Sequence, residues 1–292
     1  MLSSAIMSQT NTILPAAQTN STSELESEAE SESRADLALE TKNLVKEFKI
    51  RTGMFSTRLK VAVNKVNLTV PRGTVYGFLG KNGAGKTTTI KMILGLNKTT
   101  SGEIRILGES SENIQIRERL GFSPEKPAFY PHLTGWEVLH YVGQLSGLDS
   151  NAIRERGGRL LELVSLHQDG NRLVKDYSKG MQQRLGLIQA LLNSPDLVIF
   201  DEPATGLDPF GRRLVKDLIL GMKEEGRTVF FSSHQLLDVQ EVCDRVGIIH
   251  HGRLIIETTV DELVPAGQNL EEKFVEMITK IDQELGHVST ID

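Results

Sequence analysis

The apolar positions of this chain change period along its length, and each change marks an element. "VAVNKVNLTV", residues 61–70, alternates apolar and polar side chains as a half-buried strand does. "PRG" then turns the chain into "TVYGFLG", an apolar strand ending in glycine. "TTTIKMILGL" takes up helical spacing, and "GEIRILG" reads as another short strand. From about Pro124 to Lys175, in "TGWEVLHYVGQLSGL" and "AIRERGGRLLELVSL", apolar residues recur at three- and four-residue spacing with few strand signals, which predicts a helical insert. Helix and strand then alternate: "KGMQQRLGLIQALLN", "LVIF", "PFGRRLVKDLILGMKEEG", "TVFFSS", "QLLDVQEVCDR" and the strand "VGIIHHGRLI". Such continuous apolar strands between helices predict a parallel sheet buried on both faces. A last helix, "NLEEKFVEMITKID", is expected on the outside, and no internal repeat is found.

The junction between the first apolar strand and its helix carries the strongest chemistry. "GKNGAGKTT", Gly80 to Thr88, fits G-x-x-x-x-G-K-[ST] in the strand–loop–helix context that gives the pattern a mechanism. Gly80, Gly83 and Gly85 permit a tight backbone path. The amides of the loop, with Asn82, Ala84 and Thr88 among them, wrap phosphates; Lys86 reaches the β- and γ-phosphates, and the Thr87 hydroxyl ligates Mg²⁺.

Two carboxylates, Asp201 and Glu202, close the strand "LVIFDEP" at the end where open α/β sheets gather ligands. Beside a phosphate loop, Asp201 is suited to hold Mg²⁺ and Glu202 to act as general base on the attacking water; a strand-end cap is the bland alternative. "FFSSHQ" delivers His234 just past another apolar strand, placed to bond the γ-phosphate, unless it is a surface histidine in a helix cap. Asp208 sits in the turn "TGLDP". A second helix start, "DYSKGMQQR", gathers a hydroxyl, an ammonium and a glycine where the helix dipole favours anions. The remaining histidines, His132, His140, His167, His250, His251 and His287, keep ordinary structural readings.

Composition narrows the classes. With 292 residues and 39% hydrophobic content the chain can build a core, and a net charge of −5 lacks the broad basic surface of a nucleic-acid binder, so no nucleic acid is expected. One cysteine, Cys243, excludes an internal disulfide and reads as an inert buried thiol or, alternatively, a reactive one. No apolar run approaches the roughly eighteen residues that cross a bilayer, and the first residues lack a basic and then apolar leader pattern, so a cytoplasmic chain is expected. Residues 1–35, rich in Ser and Glu, read as a disordered acidic tail, with partner binding as a rival role.

Taken in order, the glycine loop, the insert, "YSKGMQQR", "LVIFDEP", "TGLDP" and "SSH" resemble the ATP-binding subunit of ABC transporters, from about Leu37 to Lys280. The resemblance implies an α/β P-loop NTPase core with a mostly parallel sheet, an antiparallel β subdomain and a helical insert subdomain. It assigns residues 36–265 to the ATP-binding domain, with the insert at about 124–176, and 266–292 to a helical extension. It implies ATP and Mg²⁺ as cofactors and ATP hydrolysis as the activity. Ser178, Lys179, Gly180 and Met181 would cap the γ-phosphate of an ATP held by a facing chain, identical or similar, with Asp208 communicating between the two. Phe48 in "LVKEF" would stack on adenine for about 1–3 kcal/mol; a plain core role, or Phe55 in its place, stays open. Tyr130, His132 and Trp136 in "PAFYPHLTGWEVL" would meet a polytopic membrane subunit on the cytoplasmic face of the membrane, Trp136 being equally suited to packing within the insert.

Two departures from the family pattern carry consequences. Lys179 and Met181 stand where the family's signature has glycine and glutamine, and Glu125 in "FSPEKPAF" stands where it has glutamine. An ionised glutamate about 4 Å from a phosphate charge is repelled by roughly 4 kcal/mol at an effective dielectric near 20, so Glu125 is expected to face the Mg²⁺. Many exporter ATPases of the family carry similar variants, which implies export. A rival reading is a soluble ABC-type ATPase acting on ribosomes or DNA; the second domain or long insert typical of such proteins is missing from the sequence.

Overall fold

A computed structural model describes residues 36–51, 56–265 and 269–284. The expected tail at 1–35, Phe55 and His287 lie outside them. In chain order the elements are β1 (Leu37–Arg51), β2 (Thr57–Pro71), β3 (Val75–Leu79), α1 (Lys86–Ile93), β4 (Ser101–Ile106), β5 (Glu109–Ser110), a 3₁₀ turn (Ile114–Arg119) and β6 (Leu120–Ser123). Next come α2 (Gly135–Leu145), α3 (Ser150–Leu163), α4 (Lys179–Leu191), β7 (Leu197–Asp201), α5 (Pro209–Glu224), β8 (Thr228–Ser233) and α6 (Leu236–Val242). The chain continues through β9 (Arg245–His250), β10 (Arg253–Thr259), α7 (Val260–Leu263) and α8 (Leu270–Glu284).

Two sheets result. The larger runs β10-β9-β3-β8-β7-β6 and is parallel except at its β9–β10 edge; the smaller, β2-β1-β4-β5, is antiparallel. Alternation along the buried strands sends side chains to opposite faces. Phe230 of β8, with Tyr76, Phe78 and Ile199, packs against α1 and the antiparallel sheet through Ile90, Ile93, Leu39 and Leu68. Its neighbours Val229 and Phe231, with Phe200 and Ile248, pack on the other face with α5, α6 and α8. Each such fully buried side chain contributes roughly 1.5–3 kcal/mol relative to exposure. The last helix shares that second core: Leu270, Phe274 and Ile278 form its buried stripe.

Caps set the insert's helix starts. In "TGWE" the Thr134 hydroxyl accepts the Glu137 amide while Glu137 accepts the Thr134 amide, a reciprocal pair that holds the Glu137 carboxyl below its ordinary pKa. Asp149 caps α3 by accepting from Asn151 and Ala152. Val138, Leu139 and Leu161 of these helices bury against Leu185 and Ile188 of α4, a separate small core. Trp136 packs against it from its edge, and Gly157, Gly158 and Gly170 leave room for its ring.

One expectation fails. "VGIIHHGRLI" was expected as a single strand and instead folds into β9 and β10, antiparallel, about a turn at His251 and Gly252. Both turn residues have positive φ, +46° and +75°, the two-residue reversal whose twist matches paired strands. Glycine eases only one of these positions; the apolar run on either side hid the turn.

Candidate functional site

Register alone brings the chemistry together. β3 pairs in parallel with β8, Leu79 opposite Ser233, and β8 pairs with β7, Ser232 opposite Asp201. The glycine loop, the two carboxylates and His234 therefore leave three adjacent strands at the same edge, beneath a cleft of about 930 Å³.

The glycine loop needs its glycines for contact as well as conformation. A Cβ on Gly80 would stand 2.5 Å from the Ile249 carbonyl oxygen, and one on Gly85, at φ +117°, 2.8 Å from that of Ala62. Gly85 is the N-cap of α1, so Lys86 is the first helical residue, with the positive end of the helix dipole behind the loop. Lys86 is buried. Its Nζ donates to the Gly80 carbonyl at 2.6 Å and lies 3.1 Å from Glu202 Oε1.

Glu202 is the hub. Its Oε2 lies 2.6 Å from His234 Nδ1 and accepts from the Thr205 hydroxyl at 3.2 Å. Its backbone sits at φ +53°, a left-handed conformation that costs a non-glycine residue roughly 1–2 kcal/mol. That strain is held by the amide, which donates to Ser232 through both its carbonyl, at 3.2 Å, and its hydroxyl, at 3.0 Å. The Ser232 hydroxyl in turn donates to Asp201 Oδ1 at 2.6 Å, and Thr87 Oγ1 reaches the same oxygen at 3.3 Å. Asp201 and Glu202 are both buried. Removing one partner from a buried charge pair such as Lys86–Glu202 typically costs about 3–5 kcal/mol, because the other charge stays behind uncompensated.

Most predicted residues meet at this cleft. Asn82, Gly83, Gly85, Lys86, Thr87, Thr88, Glu125, Glu202 and His234 line it on one side, and Phe48 lines it from β1. Phe48 is 37% exposed, with the Lys46 ammonium 5.0 Å from its ring centroid, so the plain core role is excluded. Ala84 is turned inward. Its side chain is buried, its amide donates to Lys81 and its carbonyl accepts from Gly252. Glu125 lies beside Lys126, 3.8 Å away. Thr87 and Asp201 are hard oxygen donors on one spot beside a cationic loop, a donor set that fits Mg²⁺ with a phosphate.

Ser178, Lys179, Gly180, Met181 and Asp208 stand elsewhere, outside the cleft lining. Ser178 is the N-cap of α4, its Oγ accepting the Met181 amide at 3.2 Å, and Ser178 and Lys179 face solvent. Asp208 caps α5 through the Gly211 amide at 2.7 Å. The two segments are neighbours, since a Cβ on Gly180 would touch Leu207 at 3.6 Å.

Sequence reasoning missed Ser232 and Thr205, which orient the carboxylates, and His251, which lines the cleft with Lys60, Val61 and Gly252. Ser232 had a signal, a hydroxyl in an apolar strand two residues before His234. His251 had none, because its placement depends on the β9–β10 turn. Cys243 is half-buried, and burial pushes its thiol well above the ordinary pKa, which disfavours the nucleophilic thiolate. Tyr130 forms an exposed aromatic group with His132 and Tyr141, ring centroids 5.8 and 6.0 Å away.

A loop–helix cradle, a buried carboxylate pair and a histidine at one edge of a parallel sheet define a P-loop nucleotide-binding fold of the ABC type. A family model described as ABC transporter matches residues 63–205. The chain is 40% identical over 231 residues to the bacitracin transport ATP-binding protein BcrA of Enterococcus faecalis, covering 78% of this chain and 71% of that one. It is also 40% identical over 216 residues to an ABC transporter ATP-binding protein of Nostoc sp., covering 73% of this chain and 64% of the relative, slightly less than two thirds of that length. A solved structure of an ATP binding subunit of an ABC transporter superposes with a TM-score of 0.72 at 30% identity, covering 82% of this chain and 99% of the other. The chain belongs to the ABC transporter ATP-binding proteins.

Proposed function

We propose that this chain binds ATP with Mg²⁺ in the cleft, hydrolyses it at an interface with a second ATP-binding chain, and so drives export through a separate polytopic membrane subunit. The observation that carries the reading is the convergence of Lys86, Thr87, Asp201, Glu202 and His234 at the ends of β3, β7 and β8.

Thr87 and Asp201 would hold the Mg²⁺, with Glu125 facing it; the ion, when bound, offsets charge on the phosphates. Lys86 exchanges Glu202 for the β- and γ-phosphates, which releases one carboxylate oxygen. Glu202, still fixed by His234 and Thr205, then takes a proton from the attacking water. His234 holds Glu202 in place and bonds the γ-phosphate. Phe48 stacks on the adenine. Positioning and fixed charge do most of the work, since phosphoryl transfer asks little covalent chemistry of the protein.

Closure of the cleft over the γ-phosphate calls for a further donor opposite the loop. Residues 178–181 of a facing chain supply one, with Lys179 adding a full charge. BcrA's name assigns it to bacitracin transport, which supports a peptide antibiotic or similar amphipathic molecule as cargo. Among the described residues no helix is long and apolar enough to cross a membrane. On this reading the membrane subunit is a separate chain, met through Tyr130, His132 and Tyr141 on the cytoplasmic side. Glu202→Gln tests the chemistry: ATP binding persists while turnover falls by about 10²–10⁴-fold, the range for a lost general base. Undiminished turnover would remove Glu202 from that role.

A further inference from the structure

The β9–β10 turn holds a second convergence of ligand-type atoms to which the proposed hydrolysis gives no role, although His251 also borders the nucleotide cleft. His250 ends β9 and is buried, His251 opens the turn, and α8 brings Asp282, also buried, from thirty-two residues away. Asp282 Oδ1 lies 2.7 Å from His250 Nε2 and 3.5 Å from His251 Nε2, and the two imidazole centroids are 4.1 Å apart. One ligand atom from each residue falls within 4.8 Å of the others.

We propose that His250, His251 and Asp282 form a site for a borderline divalent transition metal ion of the Zn²⁺ class, with a fourth position open to water. Two imidazole nitrogens and one carboxylate oxygen suit zinc; magnesium prefers oxygen donors alone. Ligands about 2.0–2.2 Å from a tetrahedral ion lie roughly 3.3 Å apart, which the His251–Asp282 pair already matches. The His250–Asp282 pair opens by about 0.6 Å as the metal replaces the proton between them, and that proton leaves to solvent. The His251 side chain is 59% exposed, which gives the ion a way in. The neighbouring Gly252 amide donates to Ala84 of the glycine loop at 2.8 Å, so the ion pins α8 to a turn that supports the nucleotide loop.

The test is calorimetric titration of the full chain with Zn²⁺ in excess Mg²⁺, alongside the visible absorption of bound Co²⁺. One ion per chain is expected, with the intense bands of a tetrahedral cobalt centre. His251→Asn, a change at an exposed side chain, weakens Zn²⁺ binding by about 100-fold or more, at or beyond the upper end of the cost of losing an outer-shell partner. Asp282→Asn does the same, whereas Asp201→Asn, in the nucleotide cleft, leaves Zn²⁺ binding unchanged. No saturable Zn²⁺ binding by the unaltered chain, undiminished binding by His251→Asn, or binding that is lost with Asp201→Asn would overturn the proposal.

Discussion

Two helix starts in this molecule carry groups suited to an anion, and they are finished to different degrees. At Lys86 the loop amides, a buried ammonium, two carboxylates and a histidine from three strands close around one point, with a hydrophobic core on either side of the sheet beneath. At Ser178 the cap is satisfied by its own Met181 amide, and the side chains of Ser178 and Lys179 face solvent. A helix start, then, defines a place for charge but a site only where other strands deliver the remaining groups. The second start makes chemical sense as a surface offered to another molecule.

The largest effect is expected where the finished site is broken. Lys86→Ala removes the phosphate contact and leaves Glu202 buried without its cation, so nucleotide binding by equilibrium dialysis disappears and stability falls by about 3–5 kcal/mol in urea unfolding. Ser178→Ala breaks the other start. It leaves nucleotide affinity of the isolated chain unchanged but lowers steady-state turnover about tenfold, the equivalent of one charge-assisted bond of roughly 1.5 kcal/mol to phosphate. A loss of affinity in the isolated chain would mean that 178–181 serve their own cleft. Glu125→Gln sharpens the contrast inside the cleft, since it shifts the Mg²⁺ concentration for half-maximal turnover upward by several-fold; an unchanged Mg²⁺ titration would place Glu125 away from the ion. The smallest effect is at Asp208→Ala, where the α5 cap is lost for about 1 kcal/mol in the same unfolding assay.

How much was legible from residues follows the same divide. The glycine loop, "LVIFDEP" and "SSH" were readable because each joins an apolar strand to a polar end, and a parallel sheet brings such ends to one edge. The insert's helices were readable from their three- and four-residue apolar spacing, whereas their caps at Thr134 and Asp149 emerged only from the structure. What depends on register between distant segments was not legible either. Ser232 acquires its role only when β8 pairs with β7, thirty-one residues away, and His251 reaches the cleft only because a turn interrupts an apolar run. The hydrogen bond of His250 to Asp282 links β9 to α8, and no local pattern announces it.

The central claim is that one chain holds half of each active site. Sedimentation of the Glu202→Gln chain with saturating Mg²⁺ and ATP tests it most directly, because blocked hydrolysis preserves the closed pair. The account predicts a shift from the mass of one chain to that of two when ATP is added, and none with ADP. A chain that remains single with ATP, while the unaltered protein hydrolyses at full specific activity under high dilution, would contradict it.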